Sequence, residues 1–154
     1  MARQELDGWQ DILMGQVRFV LDTNVFSELS KQEPNPKVLS KFEQHRFVSP
    51  GCAPVLHELR YGTARLPPGK RRDRLTEFLD GLLEEGLEIL PYDAQAAEIH
   101  ADLRARLTAK DIAPTYVDGQ IAAIALSRDA TLATRNVDDF KIFPGLRIDN
   151  WFKP

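Results

Sequence analysis

Four acidic residues, Asp22, Glu58, Asp118 and Asp139, stand where apolar runs stop or helices start. Taken singly, each has an ordinary role. Asp22 and Asp118 suit helix N-caps, Glu58 can pair with Arg60 or Arg65 on a helix surface, and Asp139 can sit solvated in a turn. Taken jointly they pose an electrostatic problem, because carboxylates gathered at short range raise one another's pKa. A divalent cation relieves it, and an all-oxygen donor set suits magnesium or manganese. A metal so held activates water and stabilises charge on a phosphoryl centre.

The elements around these acids must bring them together. Arg18-Phe19-Val20-Leu21 reads as a short strand stopped by Asp22, and Thr23-Asn24 offers cap chemistry for a helix through Val25, Phe26 and Leu29. After Pro34-Asn35-Pro36, the residues Val38, Leu39 and Phe42 suggest a second short helix. Phe47-Val48-Ser49 reads as a strand ending at Pro50-Gly51, and Pro54 fits the first turn of a helix that carries Glu58 and stops at Pro67-Pro68-Gly69. Leu75, Phe78, Leu79, Leu82 and Leu83 have amphipathic helical spacing, closed by Gly86 before a strand over Leu87–Leu90. Asp93 can cap a helix that turns Ala96, Ile99, Leu103 and Leu107 inward. Asp118 opens a helix that is apolar nearly all round from Ile121 to Leu126, hence buried. Thr131–Thr134 and Leu146–Ile148 complete the strands.

Short apolar strands alternating with helices imply a three-layer α/β/α sandwich with a short, mostly parallel central sheet. Ligand sites in such sheets form outside the carboxyl ends of the strands. Asp22 would end one strand, Asp139 would follow another, and Glu58 and Asp118 would lie near helix starts, so all four could share one crevice.

At 154 residues the chain is expected to form one domain with a real core. Its single cysteine, Cys52, excludes an internal disulfide and a multi-cysteine zinc site, and suits a reducing compartment. No apolar run approaches the ~18 residues of a membrane span, and the first residues lack the apolar stretch of a signal peptide. A cytoplasmic protein with no membrane association is expected. The net charge of -3 does not announce a nucleic-acid binder, yet the charges are segregated. Arg60, Arg65, Lys70, Arg71, Arg72 and Arg74 stand against the single acid Asp73, whereas Leu75–Leu103 holds no lysine or arginine. That basic stretch can hold phosphates or be a solvated helix end, and charge alone leaves both readings open.

The wording around each acid resembles the PIN-domain ribonucleases, particularly the VapC and FitB type toxins of bacterial toxin–antitoxin pairs. Phe19-Val20-Leu21-Asp22-Thr23-Asn24-Val25 is similar to their opening strand, and His57-Glu58-Leu59-Arg60-Tyr61-Gly62 to their glutamate motif. Asp118-Gly119-Gln120-Ile121-Ala122-Ala123 resembles the start of their buried helix, and Ala133-Thr134-Arg135-Asn136-Val137-Asp138-Asp139-Phe140 their fourth motif. No single motif is specific, but four in order over about Val17 to Trp151 are. The resemblance implies that Asp22, Glu58, Asp118 and Asp139 bind Mg2+ or Mn2+. Thr134 and Asn136 would hydrogen-bond within the site, with Thr23 and Asn24 supporting it. It also implies RNA as substrate, a cognate antitoxin as partner, and a homodimer; the basic stretch Arg60–Arg74 would then hold flanking phosphates.

Two positions depart from the pattern. His57 stands where a small residue is more usual, and is either a proton carrier or an outward or satisfied core histidine. The loop Thr108–Tyr116 lacks an expected glycine. Residues 1–16 lie outside the resemblance: Leu6, Trp9 and Leu13 make a short helical stripe, while Met14 begins a run closer to the usual family start. They form either an N-terminal extension or the product of a misassigned start, before a nuclease domain at 17–154.

A haloacid-type phosphatase needs a second acid at position 24 or 25, and Asn24 and Val25 are not acidic. No glycine-rich phosphate loop or dinucleotide fingerprint is present. The alternatives that stay open are a PIN-type nuclease in RNA maturation or on DNA, and a non-catalytic RNA-binding module. The latter would tolerate loss of an acid, and all four remain.

Overall fold

The computed structural model describes residues 15–154, so the Leu6, Trp9 and Leu13 stripe lies outside it. Strand β1 (Phe19–Leu21) leads through Asp22 into α1 (Thr23–Leu29), then α2 (Pro36–His45) and a 3-10 turn at Arg46–Val48. Strand β2 (Gly51–Cys52) feeds α3 (Ala53–Ala64), α4 (Lys70–Glu84) and β3 (Ile89–Leu90). Helices α5 (Ala94–Thr108) and α6 (Tyr116–Ser127) follow, then β4 (Thr131–Ala133), the one-turn α7 (Val137–Phe140) and β5 (Ile148–Asp149).

Strands β1, β4 and β5 form one parallel group in the order β1-β4-β5, and β2 pairs with β3, also in parallel. Backbone bonds from Arg18 N to the Val48 carbonyl (2.8 Å) and from Leu21 N to the Pro50 carbonyl (3.1 Å) lay the two groups edge to edge. The helices flank this sheet, as the alternation of apolar strands and helices required. Phe19, Val20, Leu21, Leu132 and Ala133 are all buried, which is why these strands read as unbroken apolar runs. Helix α6 packs along α5 and against β4, and buries every residue from Ile121 to Ala125. Each large apolar side chain so enclosed contributes about 1.5–3 kcal/mol. No described helix is long and apolar enough to cross a membrane.

Three local expectations are corrected. The run Phe47-Val48-Ser49 is no strand: Val48 lies in the 3-10 turn and pairing begins at Gly51, because Phe47 points into solvent at 77 % exposure and only Val48 and Ser49 turn inward. Asp118 is not the cap of α6. Thr115 takes that place, its hydroxyl accepting the Asp118 amide at 3.1 Å. Glu58 sits mid-helix in α3, not near its start. The loop without its glycine uses Asp111, whose φ of 57° is left-handed, a conformation that aspartate tolerates better than most residues.

Candidate active site

The register of two strands builds the centre of the site. Leu21 lies opposite Ala133 in the β1–β4 pair, so the next residues, Asp22 and Thr134, emerge side by side at the carboxyl edge. Thr134 is fully buried, and its hydroxyl donates to Asp22 Oδ2 at 2.7 Å. Asn24 Nδ2 reaches both Asp22 Oδ2 and Thr134 Oγ1, each at 3.2 Å. The Thr23 amide donates to Asp22 Oδ1 at 2.8 Å, which makes Asp22 the N-cap of α1 as well. The cap role and the site role therefore coincide. Arg135 N donates to Asn24 Oδ1, and Asn136 N to Thr134 Oγ1, both at 3.0 Å, so the chain after β4 is tied to the same network. Asn136 joins it through its backbone; its side chain makes no capping bond.

Asp22, Glu58 and Asp118 line one open cleft of about 460 Å³ with Asn24, Arg135 and Asn136. The Thr23 hydroxyl donates to Glu58 Oε2, binding the α3 acid to α1. Asp22 is 5 % exposed, and burial raises its pKa above the ordinary carboxylate value; the charge of Glu58 adds to this, while the bonds from Thr134, Thr23 and Asn24 oppose it. Burial also raises Asp118, with further contributions from the charges of Asp22, Asp139 and Glu58. Asp118 thus feels the charges of the other three acids. Asp139 itself is exposed and lies outside the cleft lining. Its neighbour Asp138 faces solvent and pairs with Lys141 at 2.8 Å.

An oxygen-only donor set with carboxylates pushed toward protonation fits a hard divalent cation. Among the described residues, no three acidic, histidine or cysteine side chains converge closely enough to enclose an ion directly. Magnesium is commonly held through one or two carboxylates with several waters retained, and an open cleft accommodates that shell. Cys52 is no candidate, since burial pushes its thiol up to about 12.

The basic stretch is divided. Arg60 is committed to Asp80 at 2.7 Å, and the Arg65 guanidinium lies 5.2 Å from the Tyr61 ring centroid. Lys70, Arg71, Arg72 and Arg74 crowd the first turns of α4. Arg65 and Arg71 line a second groove of about 300 Å³, walled by Phe26, Leu59, Leu75 and Phe78, that reaches Thr23 and Glu58 at one end. His57 is exposed and stacks on Tyr61 at 6.1 Å, outside the cleft, so the outward reading of this histidine holds.

Sequence reasoning missed Ser27 and Glu28, which extend the cleft wall along α1, Lys31 just beyond its end, and the pair Arg135 and Phe152. Glu28 is paired with Lys31 at 2.6 Å. A helical projection of α1 would have found Ser27 and Glu28, since they share one face with Asn24, and Lys31 joins them through its ion pair with Glu28.

A parallel sheet with acids at its carboxyl edge is the architecture of the PIN domain, and the family model of that description matches residues 19–146. The chain belongs to the PIN-domain family. Within it, similar proteins include toxins of the VapC and FitB kind. The VapC ribonuclease Y4jK of Sinorhizobium fredii is 36% identical over 138 residues, covering 88% of this chain and 98% of its own. The toxin FitB of Neisseria gonorrhoeae is 36% identical over 129 residues, covering 79% and 89%. The crystal structure of FitAcB from Neisseria gonorrhoeae superposes with a TM-score of 0.78 at 31% identity, covering 88% of this chain and 99% of that one.

Proposed function

We propose that this chain is a Mg2+-dependent endoribonuclease, the toxin of a toxin–antitoxin pair, that hydrolyses RNA phosphodiester bonds at the Asp22 cleft. The observation that carries the reading is the Asp22 carboxylate: buried, oriented by Thr134, Asn24 and the Thr23 amide, and facing a cleft it shares with Glu58 and Asp118. Burial disfavours the charged form of this carboxylate even with those donors, and a cation in the shared cleft would offset that cost. Asp22, Glu58, Asp118 and Asp139 would hold that ion, Mg2+ or Mn2+. When bound, it supplies Lewis acidity at the phosphate and acidifies water. The chain does the rest. Thr134 and Asn24 fix the face that Asp22 presents, Thr23 holds Glu58, and Arg135 at the rim offers a cation to the phosphate.

RNA as substrate is supported by α4. Lys70, Arg71, Arg72 and Arg74 crowd the helix end whose dipole disfavours cations, and a phosphate backbone would offset that repulsion. The relatives' names, ribonuclease and toxin, point the same way. The apolar groove beside Glu58 would receive an antitoxin segment, so that one protein could occupy the approach to the acids. Tyr61 and Tyr116, exposed at 58% and 53%, offer apolar surface for a homodimer.

The test is cleavage of structured RNAs by purified protein with Mg2+ or Mn2+ and then with excess chelator. Cleavage that stops in chelator and returns with metal is expected. Equal cleavage in both would remove the metal from the mechanism.

A further inference from the structure

The first turn of α6, which carries Asp118, rests on a histidine. His100 lies in α5, is 4 % exposed, and fills the space that a side chain at position 119 would need. A Cβ built on Gly119 would lie 2.4 Å from His100 Nε2 and 2.8 Å from its Cδ2, closer than real atoms come. Only glycine lets the two helices meet this way. Within a helix that choice costs about 1 kcal/mol against alanine, and it falls on the residue immediately after Asp118.

The imidazole is fixed from its other side. Tyr92 Oη and His100 Nδ1 share a hydrogen bond of 2.8 Å, and the Tyr116 ring meets the imidazole edge-on at 4.8 Å. Tyr116 is the first residue of α6, so His100 touches that turn at both Tyr116 and Gly119. His100 does not line the acid cleft. Consecutive helical residues point about 100° apart, so the face resting on His100 and the face bearing Asp118 are adjacent sides of one turn.

We propose that His100 is a positioning residue: tethered by Tyr92, its ring is the post on which Gly119 rests, and it sets the depth and rotation at which Asp118 enters the cleft. The proposal builds on the reading of Asp118 as part of a metal-dependent ribonuclease site. A flat ring tied at Nδ1 suits this task, since it cannot turn away as an untethered aliphatic side chain would.

The test uses the full chain, with Mn2+ alone as probe in calorimetric titration and with RNA cleavage at saturating Mn2+. His100→Asn keeps a polar atom near Nδ1 for Tyr92 but removes the ring edge beneath Gly119, whereas His100→Gln extends toward that edge. The Asn variant should lose about tenfold or more in Mn2+ affinity, the size of effect seen when a partner of a metal ligand is removed. Its kcat should fall with KM nearly unchanged, and the Gln variant, which reaches the edge beneath Gly119 but loses the Tyr92 tether, should fall between the Asn variant and the parent in both. Gly119→Ala should lose Mn2+ affinity comparably. Adding His100→Ala to it should restore part of that affinity and raise the melting temperature, because the new methyl then occupies space the ring has left.

Parent-like Mn2+ affinity and kcat in folded His100→Asn would overturn the proposal. So would a melting temperature that drops while Mn2+ affinity stays put, which would make His100 a packing residue only. A parent that neither binds Mn2+ nor cleaves RNA removes the ribonuclease reading and this proposal with it. An active parent with unmoved variants removes this proposal alone.

Discussion

The two ends of the candidate site, Asp22 inside the cleft and Asp139 outside its lining, are built by opposite means. At the Asp22 end, a buried carboxylate is fixed by strand register and by donors from Thr134, Asn24 and the Thr23 amide. At the Asp139 end, an exposed carboxylate rides on the single turn of α7, whose Asn136 makes no side-chain cap. A preorganised group costs no reordering when its ligand arrives, while a loose one can follow the ligand in and out. We read the first end as the fixed half of the site and the second as the adjustable half.

The largest effect expected from that contrast is at the fixed half. Asp22→Asn keeps the shape but replaces one acceptor oxygen by a donor that faces Thr134 and Asn24. Cleavage should fall by about a hundredfold or more, the scale of losing a preorganised electrostatic group. Single-turnover rates at saturating Mg2+ measure it, and a variant within a few-fold of the parent would mean that Asp22 is only the cap of α1.

Thr134→Val should come next. It removes the hydroxyl that joins Asp22, Asn24 and the Asn136 amide, and leaves buried polar groups short of a partner. A loss of about 1–3 kcal/mol in denaturant unfolding is expected, together with roughly tenfold in rate. Unchanged stability would show that water replaces the hydroxyl and that the network is less rigid than its distances suggest.

The contrast also explains what the sequence made legible. Asp22, Thr23, Asn24 and Thr134 follow directly on two apolar strands, so finding the strands locates them. The buried helix from Ile121 to Ala125 was equally plain, because a helix apolar on every side has only one place to go. What depended on distant partners was hidden. The run at Phe47 looked like a strand because its neighbours are apolar, but the pairing partner of β2 is β3, some forty residues on, and that partner fixes the start at Gly51. The bond from Thr23 to Glu58 spans α1 and α3, and the contact of His100 with Gly119 spans α5 and α6; no local period encodes either.

A smaller effect separates neighbours at the adjustable half. Asp139 occupies the third position of α7 and adds to the charge felt by Asp118, whereas Asp138 is turned to solvent and Lys141. Asp139→Asn should lower cleavage by roughly tenfold, less than the change at Asp22 because an exposed carboxylate on a one-turn helix contributes less preorganisation. Asp138→Asn should leave the rate close to that of the parent, since an exposed ion pair adds little. The reverse ranking, measured side by side at saturating Mg2+, would move the fourth acid of the site by one residue.

The smallest expected effect is on stability and lies between the two halves, at Asp118. Burial and the charges of Asp22, Asp139 and Glu58 hold its folded-state pKa above the ordinary carboxylate value, against the opposing bond from Thr115. The folded chain then binds the proton more tightly than the unfolded chain. By linkage, stability falls as pH rises from the unfolded pKa through the folded one, and the penalty is fully present at neutral pH. Asp118→Asn removes an ionisation that the metal-free fold resists, so in chelator it should melt higher than the parent at pH 7. The gap should shrink as pH falls toward 4, where the parent's own carboxyl takes up its proton. Added Mg2+ should raise the parent more than the variant, because a ligand stabilises in proportion to its affinity for the folded state. A variant that melts lower than the parent in chelator at pH 7 would show that Asp118 is satisfied by its own neighbours. The acids around it would then form a balanced structural cluster with no demand for a cation.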